Sequence, residues 1–204
     1  MEQTIDYRGY KIEIVRDVYA ENPRELYDCS VGKLFTAHKK YQPQYNFRDM
    51  FSPEEVWDEN KDIKPSFLEN YYAANVYLLD HSGLSVSLTP FSNHWDSGLF
   101  GIICCLKRDA KCLDFFEGLT DSEIEEKIMY YFKQEIKTLD DYYAGDVYGF
   151  IISDEDGEEV DSCYGFYGND KIPEIIGSSK HAVDVEIKYR SKKFGNQLQL
   201  NFNS

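Results

Sequence analysis

His94-Trp95-Asp96-Ser97-Gly98 puts a base, a carboxylate and a hydroxyl within four residues, and Cys163 offers a second nucleophile. Together His94, Asp96, Ser97 and Cys163 are the parts of a small hydrolase. In that chemistry His94 takes the proton, Asp96 orients the imidazole, and Ser97 or Cys163 attacks a carbonyl. The base must reach the nucleophile through a hydrogen bond, which depends on the fold and not on spacing. The same loop also has a structural use. Trp95 would plug a core, Asp96 and Ser97 would bond backbone groups, and Gly98 would take a positive φ. A nucleophilic Cys163 needs electropositive surroundings, and its segment is strongly acidic. The structural use is preferred, so no catalytic residue is expected and the hydrolase stands as the alternative.

Charge is the strongest global clue in the 204 residues: 22 Lys and Arg against 37 Asp and Glu give −15. Residues 114–170 hold 17 of those carboxylates and only Lys127, Lys133 and Lys137. A field of that sign repels phosphates and anionic membrane surfaces, so nucleic acid and membrane are both excluded as direct partners. It favours a protein with a basic, nucleic-acid-binding groove. Dense carboxylates on a rigid element can imitate a phosphate backbone, and a charge run can equally be a solvated face. The residues expected to meet a partner are Asp140, Asp141, Asp146, Asp154, Glu155, Asp156, Glu158 and Glu159, interleaved with Tyr142, Tyr143 and Tyr148.

No metal or cofactor is expected. The five cysteines include no Cys-x-x-Cys pair, none of the four His has zinc spacing with a Cys, and most of these thiols read as buried and structural. Asp154-Glu155-Asp156-Gly157 carries oxygen ligands but reads as a hairpin turn, without the helix-loop-helix frame of an EF-hand. No stretch reaches the length of a membrane span, and residues 1–6 lack the basic and apolar regions of a signal peptide. A soluble protein in the cytoplasm is expected.

The elements that must position these groups read as α+β: a largely antiparallel sheet of several hairpins with one long helix packed on it, in a single domain over 1–204. Hairpins are expected at 4–15, 72–89 and 146–166, with turns at Arg8-Gly9, Asp80–Gly83 and Asp154–Gly157. The run Leu99–Leu106 suits a central strand. Thr120-Asp121-Ser122-Glu123 is a capping box, followed by Ile124, Ile128, Tyr131, Phe132 and Leu139 at helical spacing, with Gly145 as the stop. The acidic helix-hairpin region therefore spans 114–170. A short helix over 172–181 is followed by the alternation Val183, Val185, Ile187, Tyr189, which predicts a C-terminal basic hairpin over 183–202.

Several runs resemble, as an ordered set, a family of acidic proteins of bacteriophages, plasmids and other mobile elements. They are Leu79–Gly83, Thr89-Pro90-Phe91-Ser92, Trp95–Gly98, Gly145–Gly149 and Asp161–Gly168. The resemblance covers roughly residues 10–170. It implies a setting inside a bacterial host cell and carries no catalytic residue with it. The leading expectation is thus a mobile-element accessory protein that inhibits a host nucleic-acid-handling or defence protein through an acidic, DNA-mimic-like face. A second alternative, after the hydrolase, rests on Gln197, Leu198, Leu200 and Phe202. These residues resemble the short peptide with which bacterial replication proteins dock on a sliding clamp, and they also suit a terminal strand.

Overall fold

A computed structural model describes residues 3–26, 30–93, 95–113 and 116–201, with the backbone alone for 193–201. In chain order the elements are β1 (Gln3–Tyr7), β2 (Tyr10–Arg16), α1 (Pro23–Leu26), β3 (Lys33–Thr36), β4 (Tyr45–Asn46), α2 (Pro53–Val56) and α3 (Pro65–Leu68). They continue with β5 (Tyr71–Asp80), β6 (Leu84–Ser87), β7 (Ser97–Leu106), α4 (Lys107–Ala110), α5 (Asp121–Tyr143), β8 (Val147–Ser153), β9 (Glu159–Tyr167) and α6 (Ile172–Asn201). The fold is α+β. The strands form two sheets, all antiparallel except the short β3–β4 pair, and the chain divides into two compact units, 1–20 with 145–204 and 21–144.

In the inner unit, 21–144, the sheet order is β4-β3-β7-β5-β6. β7 lies at the centre, as its unbroken apolar run requires, because both of its faces are covered. Ile103 joins Leu34, Val76 and the α5 residues Ile124, Ile128, Phe132, Ile136 and Leu139 in one core. Ile102 and Cys104 face the opposite way, onto Phe35, Phe47, Val56, Trp57 and Phe67. The helix α5 starts at the expected capping box: Glu123 N–H donates to Thr120 Oγ1 and Thr120 N–H donates to Glu123 Oε2 at 2.8 Å. Thr120→Ala is expected to lower stability by about 1 kcal/mol in denaturant titration. Gly145, at φ +68°, follows the helix as its stop.

The outer unit holds the sheet β1-β2-β8-β9. Ile12 and Ile14 sit opposite Ile152 and Phe150, so one face of the sheet is apolar, and α6 covers it with Ile175 and Val183. The C-terminal basic hairpin over 183–202 is not formed: Ile172–Asn201 is one helix of 30 residues. Residues 183 and 187 lie one helical turn apart, so Val183 is buried and Ile187 packs against it, while Val185 and Tyr189 are exposed. The alternation is therefore one buried and one outward row on a helix. No described helix is long and apolar enough to cross a membrane.

Candidate functional site

The acidic hairpin β8–β9 is built on a rigid base. β8 pairs with β2 on one side and β9 on the other. Gly149 lets β9 close in, since a Cβ there would lie 2.4 Å from the Tyr164 ring and 2.6 Å from the Cys163 carbonyl oxygen. At the turn Asp154 Oδ1 accepts the N–H groups of Asp156 and Glu158, each at 3.2 Å, and Arg190 Nη2 donates to Asp154 Oδ2 at 3.3 Å. Desolvation pushes the Asp154 pKa up, but the Glu158 N–H, the Arg190 guanidinium and the Asp156 N–H outweigh it and hold it below the ordinary value. The ionised anchor is thus fully present above the usual carboxylate range near ~3.9 and is lost as pH falls through the depressed pKa.

Around that anchor Glu155, Asp156, Glu158, Glu159 and Asp161 are all exposed. No Lys or Arg occurs between Val147 and Tyr167. Five carboxylates thus fall within the seven residues 155–161, at a turn and the strand that leaves it, with no cation among them.

The other four carboxylates expected to meet a partner are spent inside their own units. Asp140 Oδ1 accepts Ser85 Oγ at 2.7 Å and Val86 N–H at 2.8 Å, fastening α5 to the edge strand β6. Asp141 pairs with Lys137 at 2.6 Å, Asp146 with Arg16 at 3.0 Å, and Asp154 with Arg190. The tyrosines do not line an acidic face. Tyr148 is buried, and Tyr142 and Tyr143 pack against the α5 core, where burial pushes Tyr143 up to about 12.

The hydrolase residues are placed as follows. His94 lies outside the described residues. Asp96 Oδ2 lies 2.9 Å from His81 Nδ1 and accepts Asn93 Nδ2 at 3.1 Å. Ser97 Oγ donates to the Asn93 carbonyl. Cys163 is exposed on β9, in the other unit. The structure thus brings Asp96 to His81, a partner that sequence reasoning missed. The available signal was register: Leu79 pairs with Ser97, so His81 lies beside the entry to β7. Trp95 plugs no core, being 96% exposed, because its loop is held by Asn93, His81 and Asp96 without it. Nor does Gly98 take a positive φ.

Of the described cysteines, Cys104 is buried and Cys105 half-buried, while Cys112 and Cys163 are exposed, so burial is not the rule for these thiols. Desolvation pushes both Cys104 and Cys105 up to about 12, far from a reactive thiolate. Gln197, Leu198 and Leu200 fall on the helix α6, and Phe202 lies outside the described residues. Among the described residues no three His, Cys, Asp or Glu side chains gather into a metal site. Comparison with protein-family models, curated proteins and solved structures finds no match.

Proposed function

We propose that this chain is a binding protein whose working surface is the tip of the β8–β9 hairpin, directed at a protein with a basic nucleic-acid-binding groove. The observation that carries the reading is the run of five exposed carboxylates within residues 155–161, on a hairpin fixed by Asp154 and Arg190. A rigid acidic ridge enters a basic groove with little ordering cost and competes there with a phosphate backbone. The resemblance to acidic proteins of mobile elements supplies the biological setting. In that setting the chain works inside a bacterial host cell, as an accessory factor that blocks a nucleic-acid-handling or defence protein.

The test is a variant carrying Glu155→Gln, Asp156→Asn, Glu158→Gln and Glu159→Gln. Capture from bacterial lysate, with and without duplex DNA as competitor, is expected to retain a basic protein on the parent chain only. That retention should fall at least tenfold between 50 and 300 mM salt, because exposed ion pairs are screened. It should also be displaced by DNA. The variant should melt at the parent temperature, since all four side chains are exposed. Equal capture by the folded variant would remove the proposal.

A further inference from the structure

In the inner unit the sheet runs out on one side of its central strand. β3 begins at Lys33, opposite Cys104, while β7 continues to Leu106. A cavity of about 380 Å³ opens there, walled by Phe35, Phe51, Tyr71, Cys104, Leu106 and Leu113. Its size falls in the range of small-molecule sites, about 300–1,000 Å³. The Phe51 ring stands edge-on to both Phe35, at 5.0 Å, and Tyr71, at 5.8 Å, so the aromatic wall is faceted and fixed.

Two polar features mark one end. Lys33 lines the cavity and has no ion-pair partner among the described residues, whereas Asp109, the acidic residue of the same wall, pairs with Arg108 at 3.3 Å. Lys33 and Ser30 also line an adjoining pocket of about 290 Å³, with Arg24, Gln44 and Glu25 on its walls. Arg24 is 97% buried and already paired with Glu135 at 2.8 Å, which leaves Lys33 as the cation without an ion-pair partner among the described residues of the two walls.

We propose that the two adjoining pockets form one binding site for a small amphipathic carboxylate. An aryl or branched apolar body lies against Phe35, Phe51 and Tyr71, and the carboxylate meets Lys33, which lines both pockets. The apolar wall supplies affinity and the cation selects the head group. Cys104, at the cavity wall, is a packing surface for the ligand and not a nucleophile, consistent with its buried thiol.

The probe is 4-phenylbutanoate, compared with 4-phenylbutan-1-ol and 4-phenylbutylamine, which share its body. Each is titrated into the isotopically labelled full chain and followed by amide NMR. The carboxylate is expected to bind saturably, shifting the amides of 33–35 and 104–106, at least tenfold tighter than the alcohol and tighter still than the amine. Lys33→Gln, at an exposed position, should erase the preference for the carboxylate. Cys104→Leu, which fills the floor, should weaken all three probes. The proposal is overturned if the three head groups bind alike, if Lys33→Gln keeps the parent preference, if the shifts fall elsewhere, or if no probe saturates at its solubility limit.

Discussion

Glu135→Leu is expected to cost about 5 kcal/mol of folding stability and Arg24→Met about 3, although the two residues are partners in one ion pair. Arg24 Nη1 meets Glu135 Oε2 at 2.8 Å, and Arg24 Nη2 donates to Gln44 Oε1 at 2.7 Å. Glu135 does more than pair with Arg24. Its oxygens also accept the Val31 N–H at 2.6 Å and the Gly32 N–H at 3.2 Å, at the entry to β3. Removing Arg24 leaves a carboxylate that still has two amide donors and partial access to water. Removing Glu135 leaves a buried guanidinium and two amides short of an acceptor, and each such group is expensive to leave unsatisfied. Set against a typical total of about 5–15 kcal/mol, the second change should bring the inner unit close to unfolding. Urea titrations of the two variants check the order, and a larger loss for Arg24→Met would refute this account.

Gly98 and Gly101 stand three residues apart in β7 and should respond oppositely to alanine. At Gly101, opposite Thr36, a Cβ would lie 2.0 Å from the Phe35 carbonyl oxygen and 2.8 Å from Thr36 Cα. Backbone cannot yield as a side-chain tip can. The β3–β7 pairing must therefore open, at the upper end of overpacking costs, about 3 kcal/mol. At Gly98 nothing lies within 4 Å of the added atom. There alanine chiefly narrows the unfolded ensemble, and a gain of up to about 1 kcal/mol is expected. Thermal melts of the two variants should move in opposite directions. A shared direction would mean that the β3–β7 spacing is softer than the close approach at Gly101 implies.

Local signals in the sequence translated well into structure. The Arg8-Gly9 and Asp80–Gly83 turns, the Thr120/Glu123 capping box and the apolar run of β7 all depend on residues close together in the chain, and all four are formed. In the second half of α6 the four apolar residues Val183, Val185, Ile187 and Tyr189 form too short a window to separate strand from helix. The longer series Ile172, Ile175, Ile176, Ser179, Val183 and Ile187 has the three-and-four spacing of a helix. The acidic segment could be found by counting, but its partition could not. Whether Asp146 or Asp154 faces a partner depends on Arg16 and Arg190, which only the fold brings to them. The pairing of His81 with Asp96 and the cavity beside Lys33 likewise arise from register between strands distant in the chain.

β2 and β8, neighbours in one sheet, are separated by about 130 residues that form a unit of their own. During synthesis at about 5–20 residues per second, β2 leaves the ribosome roughly 7–26 s before β8 exists to pair with it. The intervening chain, with its own sheet and α5, can close in that interval, so folding proceeds from the inside of the sequence outward. Meanwhile the β1–β2 hairpin holds an unpaired strand edge and the apolar side chains Ile12 and Ile14 in the open. An edge left open for that long is the kind of surface on which nascent chains aggregate, so the long insertion between β2 and β8 sets when this sheet is vulnerable as well as where it lies.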